Sequence, residues 1–213
     1  MNKILALVGC SVLLSALAGC QKLAVNQNGL RPAAKSSVDV IVKGGGRFPP
    51  SLAGTWKADK WNWEVVFEPN GVISSVVIPL ASVRVRPGQI TRVYGRKGEP
   101  GIFEPGNIEV CFDPQDNELS AYIKIKRVYM DMTSIAEGSC EYFVIGNVSE
   151  DGKIWQGDAF NSLDLAVLAP PDPNHTADKS KFKKIGDLRS VLGQEAEELI
   201  FTKVPDGNAG INK

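Results

Sequence analysis

From Ser51 onward apolar residues recur at every second position, the period of a strand with one face on a core. Trp61, Trp63, Val65 and Phe67 alternate with Asn62, Glu64, Val66 and Glu68, which predicts a half-buried strand. Pro69-Asn70-Gly71 follows. Asn-Gly marks a hairpin because both residues tolerate positive φ, so residues 72–78 are expected as the returning strand. The same pattern predicts strands at 80–86, 89–94, 107–112, 119–132, 140–148, 153–160 and 199–204. Turn clusters such as Arg86-Pro87-Gly88 and Glu150-Asp151-Gly152 separate several of them. Within 119–132 the phase changes: Leu119, Ala121, Ile123 and Ile125 are odd, whereas Val128, Met130 and Met132 are even. A bulge near Arg127 is expected there, because one extra residue swaps the faces and bends the strand. Residues 179–195 are the one stretch with a helical reading, capped by Asp178 or Ser180 and weakened by Gly186 and Gly193. The expected fold is therefore mainly β, a single antiparallel β-barrel or sandwich with a short helical segment near the C-terminus.

The pattern ahead of Ser51 is different. Met1-Asn2-Lys3 carries a positive charge, and residues 4–18 then run apolar or small without a charge. Fifteen residues fall short of the ~20 a membrane-spanning helix needs and suit a secretory apolar region. The run ends in Leu17-Ala18-Gly19-Cys20. Here the chain resembles bacterial lipoproteins, whose signal peptides end in a lipobox of Leu, two small residues and Cys. Leu7-Val8-Gly9-Cys10 has the same outline, but cleavage there leaves an apolar run shorter than ~7 residues. The resemblance implies a signal peptide over 1–19, and an acylated Cys20 as first mature residue. Gln21 in place of Asp then points to the outer membrane. Residues 20–50 read as a lipidated flexible tether, rich in Asn, Gly, Pro and Ser, interrupted by a short strand at 38–42 laid on the domain edge. Residues 51–213 form the β domain.

Gly54-Thr55-Trp56, preceded by Leu52, resembles the Gly-x-Trp element of lipocalin-like (calycin) barrels. The resemblance implies that Trp56 packs across a closed barrel end. Among small bacterial proteins of that kind are protease inhibitors.

Composition narrows the chemistry. With 24 Lys+Arg against 24 Asp+Glu, the chain lacks the cationic excess of a nucleic-acid binder. The sequence has one histidine, His175, in a proline-rich stretch. No Gly-x-Ser-x-Gly, His-Glu-x-x-His or phosphate-cradling loop occurs, so no catalytic residue, metal ligand or cofactor is assigned. Asp113-Pro114-Gln115-Asp116-Asn117-Glu118 lacks the ligand spacing of a calcium loop. Export would place Cys111 and Cys140 in an oxidising compartment, where a disulfide is expected; two thiols on unconnected strands are the competing reading. Trp61 and Trp63 are candidates for lining an apolar cavity or a carbohydrate surface, with core packing the plainer fate. Arg84 and Arg86, with Arg92, Arg96 and Lys97, either dock anionic headgroups or glycans, or form the outward face of a strand whose Val83 and Val85 point inward. A second basic group is Lys179, Lys181, Lys183 and Lys184. The expected function is an envelope lipoprotein with a non-catalytic β-barrel binding domain, the alternatives being an assembly lipoprotein that docks an envelope protein complex or a lipocalin-like protease inhibitor. Its partners would be the membrane, through the anchor, and a small molecule, a glycan or another envelope protein.

Overall fold

The structure is a computed structural model that describes residues 37–95, 98–131, 134–170, 179–189 and 196–205. The lipobox with Cys20, the first part of the tether, Arg96, Lys97 and His175 lie outside the described residues. Twelve strands make one mixed sheet. They are β1 (Val38–Val42), β2 (Gly54–Ala58), β3 (Glu64–Phe67), β4 (Ile73–Ile78), β5 (Val83–Val85), β6 (Thr91–Tyr94), β7 (Pro100–Asp113), β8 (Glu118–Asp131), β9 (Ile135–Val148), β10 (Ile154–Ala169), β11 (Lys183–Arg189) and β12 (Glu197–Lys203).

The strand order is β1-β7-β8-β9-β10-β12-β2-β3-β4-β5, with β6 on β7 and β11 on β10. Among the described strands, only β1 runs parallel to its neighbour. The ladder is not closed: β1 and β5 are its two ends. Long β7 to β10 form the middle, and β10 is shared along its length. Its first half, Ile154 to Ala159, pairs with β12, and its second half, Asp164 to Ala169, pairs with β11.

That division corrects the expected helix. Residues 183–189 are a strand, and only Lys179–Lys181 form a 3-10 turn. The upper half of β10 runs past β12 and leaves backbone donors and acceptors unsatisfied on that side. Pairing them outweighs a weak helical propensity already reduced by Gly186. The phase change in β8 does coincide with a register shift between Ile125 and Val128. Strand β3 starts at Glu64 rather than Trp61. Trp61 and Asn62 adopt φ of 61° and 54° in the turn from β2, which places Trp61 outside the alternation of Trp63, Val65 and Phe67. The Asn70-Gly71 turn is as expected: Gly71 has φ 83°, and Val72 N–H donates to Asn70 Oδ1 at 3.1 Å.

Among the described residues, packed structure already includes β1, well ahead of Ser51. Phe48 lies against Phe67 and Phe112, with ring centroids 5.8 and 6.1 Å away. Trp56 is fully buried; its Nε1 donates to Leu52 O at 2.9 Å and its ring meets Trp155 edge-on at 6.4 Å. Trp155 stacks on Phe201 at 4.7 Å and donates from Nε1 to Leu119 O. Beside this cluster the β9 and β10 backbones approach closely at a glycine pair. Gly146 and Gly157 face each other across β9 and β10 on the core side, where a Cβ on Gly146 would stand 2.0 Å from Gln156 O.

Gly146→Ala should therefore cost about 1–3 kcal/mol or prevent folding, whereas Gly186→Ala on β11, with open space around its Cα, should stay within about 0.5 kcal/mol of wild type. Urea unfolding of both variants checks this. Equal tolerance at the two positions would contradict the close strand approach.

Candidate functional site

The sequence-selected residues do not converge. Trp63 is 1% exposed, with its ring 5.7 Å from Tyr142 and 5.8 Å from Phe201. It is a core residue whose buried Nε1 has no hydrogen-bond partner. Trp61 is 39% exposed in its turn, so the two tryptophans do not share a surface. Arg84 lies outward on β5 while Val83 and Val85 are buried. Its Nη2 is 2.6 Å from Glu64 Oε1 and its Nη1 donates to Ser75 Oγ at 3.1 Å, so its charge is already matched. Arg86 is exposed at the turn into β6. In the second basic group, Lys179 pairs with Asp131 and Lys184 with Asp187 at 2.6 Å.

No disulfide joins Cys111 and Cys140; both are buried thiols. Cys111 on β7 pairs with Ser120 of β8, while Cys140 on β9 pairs with Ile125. Two strand spacings of ~4.8 Å and five residues of ~3.4 Å rise separate them, far beyond the ~7 Å Cα limit for bridging. They also face opposite ways: Cys140 is in the core with Val144, whereas Cys111 alternates with the core residues Val110 and Phe112. Burial pushes the Cys140 thiol up to about 11, against a smaller pull downward from Tyr142.

The Asp113 turn is a clasp. Lys43 Nζ is 3.0 Å from Asp113 Oδ2 and 3.7 Å from Glu118 Oε1, and Gln115 N–H donates to Asp113 Oδ1 at 2.9 Å. The hydrogen bond from Lys43, then that from Gln115, holds the Asp113 carboxyl below its usual range.

What the fold brings together lies on the outer face. Asp39, Glu109, Tyr122, Phe143 and Phe160 are consecutive cross-strand partners on β1, β7, β8, β9 and β10. They form one row perpendicular to five strands. The Phe143 and Phe160 rings are 6.2 Å apart, and Phe160 is 36% exposed. Burial first, then Glu141, pushes the Tyr122 phenol up to about 12. Glu141 in turn holds Lys124 Nζ at 2.7 Å. The next row carries Ser120, Ile145, Asp158 and Glu198, and the one after it Glu118, Asn147, Gln156 and Ile200. These rows form a shallow groove whose walls carry Glu118, Asp158 and Glu198 but no Lys or Arg. Ile154, which lines the groove, and Ile200 beside it are 44% and 39% exposed and add apolar surface there. Among the described residues, no group of three or more His, Cys, Asp or Glu side chains is placed to hold a metal ion.

The chain matches no protein-family model, no curated protein and no solved structure.

Sequence reasoning passed over this face. Its signal was present in Tyr142-Phe143-Val144-Ile145, a continuous apolar run where a half-solvated strand should alternate.

Two outcomes follow from the buried groups. Native protein should yield separately alkylated Cys111 and Cys140 peptides without reductant, Cys140 reacting only on unfolding or well above pH 8; a linked peptide in the mass spectrum would refute it. Asp113 has a lowered folded pKa, so its stabilisation is present above the ordinary carboxylate range and lost as pH falls through the lowered value. Asp113→Asn should thus be less stable than wild type at neutral pH, and the gap should close below about pH 4, measured by urea unfolding.

Proposed function

We propose that this protein is a non-catalytic lipoprotein of the bacterial cell envelope, acylated at Cys20, whose β domain docks other envelope proteins through the outside of its sheet. The observation that carries this reading is the contrast between the two faces. The inside is occupied by Trp56, Trp63, Trp155, Phe67 and Phe201, all at most 2% exposed, which leaves no room for a ligand cup beside Trp63. Apolar and aromatic side chains meanwhile recur outward on β8 to β10, where a sheet facing only water would be polar.

The finer reading of the fold belongs to the same proposal: a lipocalin-like barrel, sealed rather than hollow. Two contacts favour it. Thr91 Oγ1 at the start of β6 donates to Arg84 O of β5 at 3.1 Å, across the gap between the two ends of the path. Lys203 of β12, directly opposite Trp56, reaches Ser51 O with Nζ at 2.6 Å and covers the end where Trp56 lies.

Cells fed a palmitate analogue should label the wild-type protein and leave Cys20→Ser unlabelled. The gently solubilised wild type should migrate in a complex larger than its own mass, while purified protein should fail to bind a fluorescent fatty-acid analogue. An unlabelled wild-type chain would overturn the anchor, and a purely monomeric one that takes up the fatty acid would overturn surface docking.

A further inference from the structure

We propose that the row Asp39–Glu109–Tyr122–Phe143–Phe160, with Asp158 beside it, is the docking site for a basic polypeptide segment of a partner protein. This deepens the docking reading above and rests on it. The row crosses five strands, roughly 19 Å at ~4.8 Å per strand, which is the reach of a short extended peptide rather than of a single small cation. Its aromatic part offers ring faces that attract ammonium or guanidinium groups, and carboxylates border it at one end and along one side.

The acidic end is the telling feature. Asp39 and Glu109 are direct cross-strand partners, and among the described residues neither they nor Asp158 make an ion pair. Like charges on adjacent strands tend to repel, and among the described residues no ion pair offsets this one. The nearby cations are engaged elsewhere: Lys124 by Glu141, and Lys43 by Asp113 and Glu118. The chain as a whole is neutral, so this surface is a local excess. An incoming Lys or Arg relieves the repulsion between Asp39 and Glu109 while its stem covers Tyr122 and Phe143.

The same charges disfavour other occupants. A second copy docked about a two-fold axis would bring Asp158 and its neighbours against themselves. An anionic lipid surface is repelled. A neutral glycan can donate hydroxyls to these carboxylates but supplies no counter-charge, which favours a cationic occupant.

Selection of a random phage-displayed peptide library on the full chain tests the assignment. Enriched peptides should carry an excess of Lys and Arg beside apolar residues. By fluorescence anisotropy, the best of them should bind Phe160→Ser and the double variant Asp39→Asn/Glu109→Gln about tenfold more weakly, or worse. Binding should also fall as salt rises from about 50 to about 500 mM, and Arg86→Ala should leave it unchanged. The double variant should at the same time melt higher than wild type, because a repulsion has been removed. That combination of gained stability and lost binding is not expected of a merely structural pair. Enrichment of neutral or acidic peptides, equal binding by both variants, or displacement of the peptide by a neutral oligosaccharide would overturn the proposal. Basic peptides that map to another surface would overturn it while leaving surface docking intact; no enrichment, with the envelope protein monomeric, would remove both.

Discussion

The domain depends on a set of rings that exclude water from the inside of one long, curled sheet. Trp155 stacked on Phe201, with Trp56 and Phe67 edge-on to it, draws side chains from β2, β3, β10 and β12. Each such ring buries roughly 150–250 Å², about 4–6 kcal/mol at ~25 cal/mol per Å². An ion pair partly open to solvent supplies on the order of 1 kcal/mol, so Arg84–Glu64 or Lys43–Asp113 can tune edges and turns but cannot hold the sheet together. The glycine pair at 146 and 157 has a separate cause, the close approach of the β9 and β10 backbones, which a Cβ at either position would meet.

A full interior has a functional consequence. Under the proposed docking role, the filled core among the described residues leaves recognition to the outside of the sheet, which is uneven. On β5 and β6 the arginines are either matched, as Arg84 is by Glu64, or simply solvated, as Arg86 is. On β1 and β7 to β10 the aromatic row is flanked by the facing carboxylates Asp39 and Glu109, which have no ion-pair partner among the described residues. A surface that bears a cost in isolation is better suited to a partner than one already satisfied. With an anchor at Cys20, this face would be presented within tether reach of the envelope.

Much of the β architecture was legible in the chain. The alternation at Trp63, Val65 and Phe67, the Asn70-Gly71 turn, and the phase change beyond Ile125 each report a local backbone geometry, and local geometry is what residue spacing encodes. The failures share a cause. Pro105 and Gly106 hid the first half of β7, because breakers in isolation look like loops, whereas here they sit at register shifts within a ladder. Trp61 matched the strand period but belongs to a turn with positive φ. The cysteines were paired by compartment chemistry, and two intervening strand spacings together with opposite facing keep them apart. The outer row escaped notice because its five members are spread from residue 39 to residue 160.

By itself the sequence determined that the chain would be β-rich, where most of its turns would fall, which residues would seek burial, and that no cationic excess or familiar catalytic motif was present. Those properties depend on composition and on neighbours a few residues apart. Only the tertiary structure decided that Lys183–Arg189 would be a strand, that Trp63 would be sealed away, and that Asp39 would stand beside Glu109 on an aromatic row. These outcomes depend on register between distant strands, where a shift of one residue turns every side chain to the other face, and no local pattern carries that information.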